Sequence, residues 1–302
     1  MKIFMPFALS LISLGIYSSS GYADNSGVDI EVSAGAEYDT NLNVIELDKN
    51  SNENDVAAVL NAKIDGQWQA TDKLNLSGGY AFSGKKYQDN NAYNLVIHQL
   101  SADAGYDIGL LTAGATYHFA KAELKGKSFL DLTQGSLYVS KLMNNRFYLR
   151  AATNWQEKTF QGFADRNATN AGLSGDAFLF FNEGKTFITA GISTEKENAR
   201  VAQYDYKGMN FKSRVSHKFP LLGKEHKVQL GYRHLKRDYS GVTPEIKAER
   251  YDKGYTLDAS WELSLTKNLA VETKIEHGKY DSNFAAADYS ENRVAVLLKA
   301  RF

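Results

Sequence analysis

Histidine is the commonest biological base and metal ligand, so the six imidazoles of this chain are the natural place to look for chemistry. His98, His217, His234 and His277 fall near the ends of alternating segments that turn them outward, His226 sits beside a turn, and only His118 is expected in an interior. Histidine pairs at metal-ligand spacing are absent. There is no G-x-S-x-G, and no serine has neighbours that would supply a base and an orienting carboxylate. Cysteine is absent too, which excludes a disulfide framework and a lipoprotein attachment site. Neither an enzyme nor a bound cofactor or metal is expected. Glu46, Asp48, Glu53 and Asp55 could bind calcium weakly, but they read better as part of a solvated polar loop.

The remaining charged residues sort by parity. Side chains two apart share a face of a strand. On the face opposite the apolar one, acids gather at Asp29, Glu31 and Glu37, at Asp258 and Glu262, and at Glu272 and Glu276. Bases gather at Arg146 and Arg150, at Lys212, Arg214 and Lys218, at Arg233, and at Arg293, Lys299 and Arg301. Such walls could set up a transverse field that aligns a passing solute or chain. They could equally neutralise one another in a network that fills the interior, and this second reading is preferred. The first and thirteenth segments place acids close enough to the bases of the last to pair.

The elements that carry these faces are strands. In the closing segment Val294, Val296, Leu298, Ala300 and Phe302 share one side, with Arg293, Lys299 and Arg301 on the other. A strand of that kind is stable between hydrocarbon and water. The same alternation runs back through the chain from a first strand at 28–38, with Ile30, Val32 and Tyr38 outward. A second at 55–69 turns Leu60, Ile64 and Trp68 outward. A strand at 110–119 is followed by a loop at 120–127, and the next, 128–142, has an uncertain register near Gln134. Strands at 204–218 and 226–239 flank a connection holding Pro220. The total is fourteen, an even number, each long enough for a tilted crossing of roughly 9–11 residues. The expectation is an all-β, closed antiparallel transmembrane barrel of the bacterial outer-membrane type. Loops 39–54, 159–168 and 239–250 should face outward from the cell and short turns the periplasm. Aromatics at the ends of the apolar face, such as Trp68, Tyr106, Trp155 and Trp261, fit membrane girdles.

Both chain ends agree. Lys2 precedes an apolar run at 3–16 and small residues ending at Ala23, the pattern of a secretory signal peptide. The expected division is a signal peptide at 1–23, cleaved after about Ala23, and one barrel domain at 24–302. With Lys2 removed the mature charge is near −1, so no nucleic-acid partner is expected. The mean hydropathy of −0.41 is ordinary for a barrel in which each lipid-facing residue alternates with a lumenal polar one. Outer-membrane lipid and lipopolysaccharide are the expected surroundings. A terminal Phe302 resembles the signal read by the barrel assembly machinery.

Two patches carry a more specific resemblance. The end of the first strand reads Tyr38-Asp39-Thr40-Asn41-Leu42-Asn43. The closing hairpin reads Tyr280-Asp281-Ser282-Asn283, then Tyr289, Asn292-Arg293 and Arg301-Phe302. They resemble the C-terminal barrel of the surface lipoprotein assembly modifier family, whose barrels have fourteen strands. The resemblance implies a conduit that assists export or surface display of a lipoprotein or secreted protein client. Members usually carry an N-terminal periplasmic tetratricopeptide domain. Only a few residues separate Ala23 from the first strand here, so the barrel is expected without it. The candidate conduit lining is then Arg146, Arg150, Lys212, Arg214, Arg233, Glu262, Glu272 and Arg293. Two alternatives stay open: a diffusion porin for small polar solutes, and a structural or adhesive barrel with a blocked lumen.

Overall fold

Alternating apolar and polar side chains can satisfy every backbone group in hydrocarbon only if the sheet closes on itself. It does so here. The computed structural model describes residues 26–302; the expected signal peptide lies outside the described residues. Fourteen antiparallel strands form one closed barrel. They are β1 (Ser26–Asp39), β2 (Asp55–Gln69), β3 (Leu74–Tyr87), β4 (Leu95–Asp107), β5 (Thr112–Leu124), β6 (Lys127–Met143) and β7 (Phe147–Phe160). The second half comprises β8 (Ala168–Phe181), β9 (Thr186–Ala199), β10 (Tyr206–Leu221), β11 (Lys224–Thr243), β12 (Ala248–Ser264), β13 (Leu269–Ser282) and β14 (Tyr289–Arg301). Each strand pairs with its sequence neighbours, and β14 pairs with β1 from Glu31 opposite Arg301 to Asp39 opposite Arg293. Phe302 prolongs that seam by exchanging backbone hydrogen bonds with Ile30, at 3.2 and 3.0 Å.

The outer wall is apolar. Ile30, Leu60, Ile64, Leu137, Leu173, Leu230 and Leu298 are all exposed on it, as a hydrocarbon-facing surface requires. Trp68, Tyr106, Trp155 and Trp261 are exposed on the same wall. Tight turns close one rim, where Ser26 and Phe302 also lie; the longer connections crowd the other.

Three boundaries differ from the sequence expectation. The loop expected at 120–127 is strand on both sides of a two-residue turn at Lys125 and Gly126, whose φ angles of 54° and 69° suit a tight hairpin. The register slips between Ala122 and Glu123 there. The loop expected at 239–250 is mostly a ribbon: β11 runs on to Thr243, β12 starts at Ala248, and a bulge falls between Asp238 and Val242. Pro220, expected in a connection, is paired with Glu225 inside the last turn of β10. Its position at a strand end is where a missing N–H is tolerated.

Candidate functional site

Loop 40–54 does not face solvent as expected. It folds into the barrel mouth. A miniature hairpin pairs Asn43 with Asn50 and Val44 with Lys49, and a 3-10 turn at Ile45–Leu47 forms its tip. Asp48 ends that turn in the left-handed region at φ 51°. Leu42 and Val44 are fully buried, with Leu47 packed beside them.

The wall that receives them is apolar on the inside. Ala57, Tyr87, Leu95, Ile97, Ala120, Ala122, Leu130, Leu132 and Phe160 form one buried cluster with Leu42 and Val44. This explains β6. Leu137 and Val139 face lipid, whereas Leu130 and Leu132 have the opposite parity and face the lumen. The uncertain register expected near Gln134 is a change of apolar face, and Gln134 itself pairs in register with His118 and Gln156. Burying a leucine or valine contributes about 1.5–3 kcal/mol, so the loop's apolar side is anchored before any charge is counted.

The tip of the loop carries the charges. The Asp48 carboxylate receives Arg166 from the β7–β8 connection at 2.7 Å and Arg250 of β12 at 2.9 Å. Arg166 also donates to the Glu46 carbonyl at 3.0 Å and lies over the Tyr204 ring at 4.3 Å. Arg250 is shared with Asp252 at 2.7 Å and stacks over Tyr239 at 4.7 Å. Lys158 stands 3.9 Å from Glu46 and 2.7 Å from Glu197. Burial pushes the Asp48 carboxyl up, but Arg250 and Arg166 outweigh it and hold the group below its ordinary value. Loop 40–54 therefore reaches from the β2–β7 wall to β12 and spans the mouth. Beneath it lies a cavity of about 180 Å³, lined by Asn154, Asn170, Lys212 and Arg233 among others.

The expected lumen charges are nearly all inside, and most are paired. At the turn rim Arg301 meets Glu31 at 2.9 Å and Glu262 at 2.7 Å; Lys299 meets Glu262 and Glu272, both at 3.1 Å. Midway, Arg214 binds both oxygens of Asp258 at 3.0 and 2.9 Å, and Lys212 meets Asp176 at 3.0 Å. Arg150 lies 3.9 Å over the Tyr138 ring, whose hydroxyl donates to Asp103 at 2.9 Å. Arg233 lies across from Lys212 on β11. Near the loop rim Arg293 meets Glu276 at 3.1 Å and Glu291 at 2.8 Å, and Lys85 pairs with Glu37. Arg146 is the exception: it lies exposed in the turn before β7, outside the wall to which the sequence assigned it. Asp29 and Lys218 are exposed at the turn rim.

From the sequence Asp48 reads only as a weak calcium candidate in a solvated loop, and Arg166, Arg250 and Lys158 are not singled out. Glu53 stays in the loop, but Asp55 accepts backbone N–H groups from Asp89 and Asn90 at 3.1 and 2.8 Å. Among the described residues no group of histidines and carboxylates is arranged to hold a metal ion. His118 is buried inside. His98 and His277 sit on the outer wall, bonded to Tyr80 at 2.7 Å and Asn292 at 2.9 Å, and His226 stacks between Phe219 and Trp261.

The chain can be set against known proteins. A family profile described as surface lipoprotein assembly modifier matches residues 19–302. No curated protein sequence matches the chain. Among solved structures, the in-vitro folded trimer form of OmpT, an outer membrane protein of Vibrio cholerae, superposes with a TM-score of 0.52 at 10% identity. That match covers 92% of this chain and 100% of the other. CdiB from Acinetobacter baumannii superposes with a TM-score of 0.50 at 9% identity, covering 93% of this chain and 60% of the other. At such identities the likeness is one of fold.

Proposed function

The chain belongs to the surface lipoprotein assembly modifier family and is an outer-membrane β-barrel; from that premise we propose that it assists the export or surface display of a protein or lipoprotein client. The observation that carries this reading is the loop held across the barrel mouth at the rim of the longer connections. A passive channel needs a standing opening, and here 40–54 occupies it with apolar side chains on one side and the Asp48 ion pairs on the other. A conduit for an occasional large client needs the reverse, a mouth shut until the client arrives.

The proposal is for a non-enzymatic role. Its partners are the client, the barrel assembly machinery acting on the Phe302 end, and outer-leaflet glycolipid. Support for the last comes from an arc of exposed lysines on the outer wall of β9–β13. Lys196 sits directly opposite Lys207, and Lys236 opposite Lys253. Like charges in such pairs repel; Asp238, opposite Lys207 and 2.6 Å from Lys236, offsets part of that repulsion, and anionic headgroups would offset the rest.

A second reading, a diffusion channel for small polar solutes, draws on the polar cavity and its cations. Planar-bilayer recording of the purified protein separates the two. Near-zero conductance is expected. A large, stable, ungated conductance whose ion selectivity shifts on charge reversal at Arg150, Lys212 or Arg214 would overturn the export reading in favour of the porin.

A further inference from the structure

Loop 40–54 is held as a ligand is held, and its pocket has two chemically distinct halves. One is apolar: Leu42, Val44 and Leu47 pack against the lumenal faces of Ala122, Leu130 and Leu132. The other is basic: Glu46 and Asp48 meet Arg166, Arg250 and Lys158. These three cations are not equally dependent on the loop. Lys158 has Glu197 at 2.7 Å and Arg250 has Asp252 at 2.7 Å whether or not the loop is there. Among the described residues, the Arg166 guanidinium has the loop and the face of Tyr204.

Breaking a buried pair by removing one partner leaves a charge uncompensated. Withdrawing the tip would strand Arg166, half-strip Arg250 and open an apolar pocket to water in the same step. Opening is therefore disfavoured unless something replaces both halves of the loop at once. A phosphate or a simple carboxylate replaces only the basic half.

We propose that this pocket is a receptor for an acidic segment of the exported client, and that its arrival displaces the loop. The segment would interleave apolar side chains with two carboxylates two positions apart, as Val44, Ile45, Glu46, Leu47 and Asp48 do. The loop is then an internal stand-in for the client. By competing for the same pocket it lowers the client's apparent affinity by the fraction of time the pocket is filled. The assignment rests on the export reading for the identity of the client; the chemistry of the pocket does not.

The test uses a barrel in which residues 43–50 are replaced by a short Gly-Ser linker, with heat-modifiable gel mobility as the check that it folds. The probe is a fluorescent peptide of the chain's own residues 42–50, compared with the same peptide carrying Glu46→Gln and Asp48→Asn. The linker barrel is expected to bind the acidic peptide at least tenfold more tightly than the amide peptide. Arg166→Ala or Arg250→Ala should abolish that preference, and the unaltered barrel should bind the acidic peptide more weakly than the linker barrel does. Equal affinity for the two peptides, or no binding by a folded linker barrel, would overturn the proposal. Displacement of the acidic peptide by inorganic phosphate as readily as by unlabelled peptide would overturn it too, in favour of a plain anion site. An unchanged surface proteome in a strain lacking the protein would count against the export reading alone, with the tenfold preference still a property of the pocket.

Discussion

The Asp48 carboxylate lies 2.7 Å from Nη2 of Arg166, a residue 118 positions away in sequence and on the far side of the barrel mouth. With Arg250 on its other oxygen at 2.9 Å, it holds loop 40–54 across the opening. Removing one partner of a buried pair costs about 3–5 kcal/mol. Asp48→Asn should therefore loosen the loop without unfolding the barrel. The expected outcome is intermittent single-channel openings in a planar bilayer where the unaltered protein is silent, with heat-modifiable mobility unchanged. Silence equal to that of the unaltered barrel would show that the apolar contacts alone close the mouth.

The same carboxylate gives the closure a pH dependence whose sign is fixed. Its value in the folded protein is depressed below the ordinary 3.8. The stabilisation is thus fully present above that ordinary value and is lost as pH falls through the depressed one. Conductance should stay near zero from neutral pH down to about 4 and rise only below 3.8. Openings that appear between pH 5 and 7 would point to a different titrating group.

The β1–β14 seam makes a separate prediction. A Cβ on Gly35 would run into the backbone carbonyl of Val296 on β14, whereas one on Gly27 would meet nothing within 4 Å. Overpacking of this kind costs about 1–3 kcal/mol. Gly35→Ala should lower the temperature at which the folded gel band disappears, and Gly27→Ala should leave it in place. Equal temperatures for both variants would mean that the seam tolerates the added methyl.

Phe302 closes the same seam through its two backbone bonds to Ile30, with its ring exposed on the outer wall. Deleting it, or replacing it with Asp, is expected to lower the folded fraction in the outer membrane by several-fold. Heat-modifiable mobility of whole membranes reads this directly. Equal folded fractions would remove the terminal residue from assembly.

How much of this was legible beforehand depends on whether a feature leaves a period. The alternation of Val294, Val296 and Leu298 against Arg293 and Lys299 announces a strand between lipid and water, and the structure has it in that register. The pairing of Arg301 and Lys299 with Glu31, Glu262 and Glu272 follows from the same parity. The plug leaves no period. Leu42, Val44 and Leu47 are scattered through a polar stretch, and turns of two or three residues fix where they point. It left traces in β6, where Leu130 and Leu132 break parity with Leu137 and Val139, and in β4, where Leu95 and Ile97 break parity with Leu100. Apolar residues facing the lumen need a partner, and loop 40–54 supplies it. The partners of Asp48 were invisible for another reason: closure of the sheet, not local sequence, brings Arg166 and Arg250 to it.

The central claim is that the barrel serves a client and not a solute. A quantitative surface proteome, comparing a strain lacking the protein with the same strain complemented by the intact chain, tests it most directly. The expected result is loss of one surface protein or lipoprotein by at least tenfold, its cellular pool retained behind the outer membrane, and recovery on complementation. A surface proteome that is the same in both strains would contradict the claim.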